Sequence, residues 1–305
     1  MRALVLKSTG NLYRLALDNG EELRVSLAGK IRLEARKSTN PVVVGDYVEV
    51  EGEQIVKVHP RKNYIIRKSL NLSKQTHILA ANLDQAFLLV TLVFPRTSTG
   101  FIDRFLVTAE AYQIPAKIIF NKTDLLDDEL KQVQTELVKM YTDIGYECME
   151  ISALKSEDAR LVKNRLKDKI TLLMGHSGAG KSTLVNNIQP NLKLKTGDLS
   201  DVHLKGKHTT TFSELHKLDV GGYIIDTPGI KELGLVEMKK EEVGHYFPEF
   251  RKLMHQCKFN NCTHTNEPNC AVLKALEDGL IYEERYHNYL GILNSEETDE
   301  PTWKD

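Results

Sequence analysis

The chain has 305 residues, of which 41% are hydrophobic and 27% charged, with a formal net charge of -1. This fits a soluble globular protein with room for two or three modules, and no whole-chain charge argues for a nucleic-acid partner. No apolar run is long enough for a membrane span and the opening MRALVLKSTG lacks the plan of a signal peptide, so a cytoplasmic protein without a membrane partner is expected.

The charge is unevenly spread. Residues 1–75 hold 14 Lys or Arg against 8 Asp or Glu. Lys30, Arg32, Arg36 and Lys37, then Arg61, Lys62, Arg67 and Lys68, offer either a face that approaches phosphates or an ordinary solvated surface. Glu296, Glu297, Asp299, Glu300 and Asp305 make the tail acidic.

In chain order, the first 65 residues read as short strands and turns. STGNLYRLAL alternates after a turn, and NPVVVGDYVEV is β-rich around a Gly-Asp turn. A small barrel and an open two-layer sheet both satisfy this pattern. Beyond Tyr64 the pattern lengthens: QAFLLVTLV predicts a buried strand, FIDRFLVTAEAY a helix, AKIIF a strand and DDELKQVQTELVKMY a helix. GYECMEIS and KITLLMG add strands around a short helical segment, so the alternation predicts a mostly parallel sheet covered on both faces. Past Asp226, FPEFRKLMHQC enters a less regular region and AVLKALEDGLIYEERYHNYLGIL has apolar positions at helical spacing. The expected divisions are 1–70, 71–235 and 236–305.

GHSGAGKS, at 175–182, follows an apolar strand and opens a helix, the context of a phosphate loop. Its glycines let backbone amides turn toward an anion, and the helix adds its positive end. Candidate nucleotide contacts are Gly175, Ser177, Gly178, Ala179, Gly180, Lys181, Ser182 and Thr183. Lys181 can reach the outer phosphates and the Ser182 hydroxyl can bind magnesium. DTPG at 226–229 follows GGYIID, so Asp226 can orient hydrated magnesium and the Gly229 backbone can approach the terminal phosphate. These two motifs leave the base open, and an ATPase or a small-molecule kinase would share them. NKTD at 121–124 supplies the discrimination. Asp124 can accept from the guanine ring N–H and amine, which adenine does not present, while Asn121 and Lys122 orient the loop and cover the base. ISA at 151–153 offers a second base-side loop through Ser152 and Ala153, although a simple structural turn also fits it.

Cys257, Cys262, His264 and Cys270 supply three thiolates and an imidazole, a ligand set suited to tetrahedral structural zinc, with His255 close enough to be an alternative donor. In a reducing compartment the clustering favours a metal over disulfides.

The order NKTD, ISA, GHSGAGKS, KGKHTTT, DTPG permutes the usual GTPase arrangement, in which the NKTD-like element follows both the phosphate loop and DTPG. With a β-rich module before it and the Cys/His cluster after it, the sequence resembles the circularly permuted small-ribosomal-subunit biogenesis GTPases of the RsgA family over roughly residues 1–292. The resemblance implies a multidomain α/β protein: an N-terminal OB-like β-barrel that binds RNA or the ribosome, a circularly permuted P-loop GTPase core and a C-terminal zinc-binding helical module. It also implies hydrolysis of GTP, with zinc and magnesium as cofactors, during late maturation of the small ribosomal subunit. The partners would be that subunit and its rRNA, which would stimulate turnover, with the protein monomeric off the ribosome. Thr210 would serve the first switch and magnesium. His208 would be catalytic, since Ile230 stands where many GTPases carry a water-positioning glutamine; an exposed switch histidine without that role is the alternative. His176, inside the phosphate loop, suits loop support better than catalysis. A GTP-dependent protein switch without a ribosomal role is the competing function.

Overall fold

The computed structural model describes residues 1–10, 12–29, 31, 41–67, 77–194, 213–226 and 238–294. Strands β1 (Arg2–Thr9), β2 (Leu12–Leu17), β3 (Glu22–Leu27), β4 (Tyr47–Glu51) and β5 (Gln54–Val58) pair in the order β1-β2-β3-β5-β4, and β4 returns to β1. The sheet therefore closes into an OB-like barrel, which leaves no free strand edge of the kind an open two-layer sheet would present. Ala3, Val5, Tyr13, Leu15, Val25, Val48, Val50 and Ile55 fill it, drawn largely from alternate strand positions.

The Gly-Asp turn before β4 is an internal anchor. Asp46 is fully buried and takes Arg61 through Nε at 2.6 Å and Nη2 at 2.7 Å, as well as the Val43 N–H at 2.8 Å. Arg61 is thereby removed from the basic face considered above, and Lys62 is paired with Asp84. Lys30, Arg32, Arg36, Lys37, Lys68 and the side chain of Arg67 lie outside the described residues.

A short antiparallel pair, β6 (Tyr64–Arg67) and β7 (His77–Ala81), leads to the core. There β8 (Gln85–Val90), β9 (Ala116–Phe120), β10 (Glu147–Glu150), β11 (Ile170–Gly175), β12 (Glu214–Lys217) and β13 (Tyr223–Asp226) lie in the order β10-β9-β8-β11-β13-β12. All pairings among them are parallel except β12 with β13. Every residue of β8 is buried, as a strand covered on both faces requires. Ala86, Leu88 and Val90 join Phe105 and Leu106 of α1 (Thr99–Ala111) and Met140 and Tyr141 of α2 (Asp128–Ile144). Phe87 and Leu89 join Val162 and Leu166 of α3 (Ser156–Leu166) and Leu184 and Ile188 of α4 (Lys181–Ile188) on the opposite face. Ser98 caps α1 and Asp127 caps α2 through their side-chain oxygens. β12 also touches β1 at Lys7 and Glu214, and the Glu214 carboxylate takes both Lys7 and Arg14, which docks the barrel on the core.

The C-terminal part contains α5 (Lys240–Val243), α6 (Pro248–Arg251), α7 (Ala271–Glu277) and α8 (Glu283–Asn294). The helical spacing in the sequence runs through 271–293, but the backbone stops midway. Gly279 sits at φ +70°, its N–H bonds to Leu276 O at 3.0 Å, and the Leu280 N–H bonds to Ala275 O at 2.8 Å. That pair of bonds is a Schellman stop, for which glycine is the favoured residue. Phe247, Phe250, Tyr286, Tyr289 and Ile292 then form a core that includes Val107 of α1, seating this module against the parallel-sheet domain. Among the described residues no helix is long and apolar enough to cross a membrane.

Candidate nucleotide site and metal centre

The phosphate-loop sequence leaves the carboxyl end of β11 and enters α4, the crevice where open parallel sheets bind ligands. Two glycines are required by close approach as well as by φ. At Gly175 (φ +143°) a Cβ would lie 2.5 Å from Leu89 O, and at Gly180 (φ +99°) one would lie 2.3 Å from Asn121 Nδ2. Lys181 Nζ donates to Gly175 O at 2.6 Å and His176 O at 2.7 Å, so its ammonium lies within the loop. Ser182 is buried in the first turn of α4, Ala179 is buried, Thr183 is half-buried, and Ser177 and Gly178 are exposed. The ring of His176 lies 4.2 Å from that of Phe101 with planes 31° apart, a contact that supports the loop from α1.

NKTD follows β9, so its loop emerges beside the phosphate loop. Asn121 is buried and joins three segments: its Nδ2 donates to Ala179 O at 2.7 Å, and its Oδ1 accepts the Ala153 N–H at 2.8 Å. Lys122 adopts φ +66° and its Nζ donates to Phe94 O. Asp124 is exposed on a short 3-10 turn spanning Thr123–Leu125. The ISA segment is held from both sides. Asp158 of α3 accepts the Ser152 N–H at 2.7 Å, and Asn187 of α4 donates to Ala153 O at 2.5 Å. Ser152 is itself buried, and its hydroxyl has no hydrogen-bond partner among the described residues.

The sequence-predicted residues 121–124, 152–153 and 175–183 therefore converge. Asp226 ends β13, whose neighbour Ile225 pairs with Leu172 of β11, at the same edge. The Asp226 side chain, His208, Thr210, Gly229 and Ile230 lie outside the described residues. Phe94, Phe101, Asp158 and Asn187 were not singled out from the sequence. Asp158 carried a signal, an acidic residue in the first turn of a helix, whereas the others are defined by tertiary contacts.

In the C-terminal module one ligand atom from each of Cys257, Cys262, His264 and Cys270 falls within 4.8 Å of the rest. His264 Nδ1 is 3.7 Å from Cys257 Sγ and 3.4 Å from Cys270 Sγ, so Nδ1 is the atom aimed into the cluster. Burial pushes the Cys262 thiol up to about 12, raises Cys270 and lowers His264. A neutral imidazole is the ligating form, and a divalent cation reverses the penalty on the thiolates. The donor set thus fits zinc. Glu267 braces the loop: burial pushes its carboxyl up, but hydrogen bonds from Thr263 and the backbone of Thr265 outweigh this and bring it to about 2. His255 is not part of the cluster.

A guanine-type loop preceding the phosphate loop in sequence, with both at one sheet edge between a barrel and a Cys/His module, defines a circularly permuted P-loop GTPase. A model of the RsgA GTPase family matches residues 58–236. The chain is 51% identical over 302 residues to the small ribosomal subunit biogenesis GTPase RsgA of Bacteroides fragilis, with 97% of each chain covered. It is 52% identical to the protein of that name from Phocaeicola vulgatus, with the same coverage. Among solved structures, YjeQ from Thermotoga maritima matches with TM-score 0.80 and 36% identity over 96% of both chains. YloQ, described as a circularly permuted GTPase, matches with TM-score 0.75 and 28% identity, covering 99% of this chain and 96% of that one. The chain belongs to the RsgA GTPase family and is a GTP-hydrolysing enzyme.

Proposed function

We propose that this enzyme hydrolyses GTP as a nucleotide-dependent factor in late maturation of the small ribosomal subunit, for whose biogenesis its relatives are named. The observation that carries the reading is the placement of Asn121, which ties the guanine-type loop to the phosphate loop and to ISA in a permuted chain. Asp124 reads the guanine edge, Asn121 and Lys122 shape that pocket with Ser152 and Ala153, and residues 175–183 cradle the phosphates. Ser182, Thr210 and Asp226 hold magnesium directly or through water, and Gly229 approaches the terminal phosphate. Bound magnesium neutralises charge on the phosphate oxygens. Zinc held by Cys257, Cys262, His264 and Cys270 stiffens the module that carries it.

In this reading residues 1–70 form the barrel that engages rRNA, 71–235 the GTPase unit, and 236–305 the zinc-binding unit and tail. The protein acts in the cytoplasm, is monomeric off the ribosome and is stimulated by the rRNA of the small subunit. His208 orders or deprotonates the attacking water once the subunit folds its switch inward. Two observations support that choice: Ile230 cannot polarise water, and His176 is stacked on Phe101.

Single-turnover GTP cleavage on saturating small subunits tests the chemistry. His208→Ala is expected to slow cleavage by about 10²- to 10⁴-fold, the usual contribution of general acid–base catalysis, while nucleotide and subunit binding persist. Unchanged cleavage would remove His208 from the mechanism.

A further inference from the structure

Helix α1 is wedged between the nucleotide loops and the Cys/His module and touches both. On one side, Phe101 lies against His176 of the phosphate loop at 4.2 Å between ring centroids. The segment leading into α1 offers Phe94 O to Lys122 Nζ, and Pro95 Cδ would be 3.4 Å from a Cβ placed on Gly178. On the other side, the fully buried Asp103 accepts from Arg285 Nη1 at 2.6 Å and from Asn288 Nδ2 at 2.7 Å, both on α8. Thr99 Oγ1 adds a bond to Glu284 at 2.7 Å. Two turns of one helix thus meet the phosphate loop and the zinc-binding module together.

A buried ion pair is weak evidence for stability, because desolvation offsets much of the attraction; setting the register of two packed elements is its better-attested use. The charges around Arg285 suit such a use. Glu249, on α6 of the same module, takes the guanidinium through Nε at 2.8 Å and Nη2 at 3.2 Å, and Phe247 lies 4.5 Å beneath it. Arg285 therefore stays paired within its own module if α8 shifts on α1. Asp103 would keep only the Tyr141 hydroxyl, now at 2.9 Å, among the partners described for its carboxylate. Loosening the contact leaves the cation paired and places the cost of a shift on the Asp103 carboxylate alone, so anything that moves α1 is felt at this contact.

We propose that Phe101 and Asp103 are positioning residues through which the phosphate loop and the zinc-binding module are coupled, so that nucleotide occupancy and the seating of α8 on α1 are linked equilibria. The proposal rests on the reading that residues 175–183 hold the phosphates. Linkage makes it reciprocal: a partner that grips the module changes nucleotide affinity by the factor with which nucleotide changes the seating, ordinarily about 5- to 150-fold. One element contacting both sites puts them within reach of such coupling, and a shared two-state equilibrium is what the measurement must demonstrate.

The test is hydrogen exchange, read by mass spectrometry over residues 283–294 of the metal-loaded full chain, with and without saturating GDP or a non-hydrolysable GTP analogue. Binding is followed in parallel with a fluorescent guanine nucleotide. In the natural protein nucleotide is expected to slow exchange in α8 by about fivefold or more. Asp103→Asn removes the attraction across the contact yet leaves Arg285 paired one-to-one with Glu249, and Phe101→Leu keeps apolar volume without the ring contact. At saturating nucleotide, either change is expected to cut the response below about twofold, an effect that a purely stabilising role would not produce. An unchanged α8 in nucleotide-bound natural protein, or a full response in either variant, would overturn the proposal. Failure of the natural protein to bind nucleotide would overturn the site reading and the proposal with it.

Discussion

Asn121 uses both ends of its amide on backbone groups, Ala179 O and the Ala153 N–H, so the base-side and phosphate-side loops share one buried residue. Gly180 makes that sharing possible, since any Cβ there would meet Asn121 Nδ2 at 2.3 Å. Gly180→Ala should therefore strain the backbone by about 1–3 kcal/mol and displace Asn121. Equilibrium nucleotide titration should show at least about tenfold weaker binding, extending to inorganic triphosphate because the phosphate loop itself moves. Asp124→Asn acts differently, because Asp124 is exposed and outside this junction. It should lower GTP affinity about 10- to 100-fold, the worth of a charge-assisted hydrogen bond, and improve xanthine nucleotide relative to guanine, with thermal stability unchanged. Parallel GTP, ATP and XTP titrations check this, and equal GTP and ATP affinity in the natural protein would contradict the base-site assignment. The motif residues at this scale are legible because their chemistry is local to a tetrapeptide or octapeptide. Asp103 and Arg285 are legible only in hindsight: each sits on a buried helical stripe, Arg285 with Tyr286, Tyr289, Ile292 and Leu293, but its two counter-charges, Glu249 and Asp103, are 36 and 182 residues away.

At the scale of elements, the parallel-sheet alternation could be read because each strand and helix carries its own period, as β8 shows by dividing its side chains between two cores. The strand pattern alone leaves closed and open forms equally possible, and only the family resemblance implies the barrel, because closure is made by one non-neighbouring pairing, β4 with β1, that no local pattern encodes. The break between α7 and α8 was missed for the opposite reason. Apolar spacing continues across it, and the left-handed Gly279 decides the geometry. The Cys/His cluster is an element whose chemistry gives a pH dependence. Burial raises the thiols of Cys262 and Cys270, so the metal-free module holds both protonated at neutral pH and zinc must displace both protons. Loading apo-protein with zinc in weak buffer with a pH indicator should release at least these two protons, since three thiols converge on the site, and apparent zinc affinity should fall by at least about 100-fold per pH unit as acidity increases. Cys262→Ser should lower retained zinc, measured by elemental mass spectrometry, and disturb the C-terminal module more than nucleotide binding. Stable, folded natural protein purified without metal would count against a structural zinc.

At the scale of the molecule, the GTPase core is tied on two sides. Glu214 of β12 takes Lys7 and Arg14 from the barrel, and α1 takes Arg285 from the C-terminal module. Both flanking units are thus docked on elements near the nucleotide loops. Part of the basic run is engaged within the protein: Arg61 and Lys62 pair with Asp46 and Asp84. A large partner that contacts barrel and Cys/His module together would act on the core through these two docks. The most direct test is GTP turnover by the full, zinc-loaded chain, measured alone, with isolated small ribosomal subunits and with large subunits at equal concentration. The account predicts slow hydrolysis alone, stimulation of at least about tenfold by small subunits, and little change with large ones. Equal rates in all three conditions, with GTP binding intact, would contradict it.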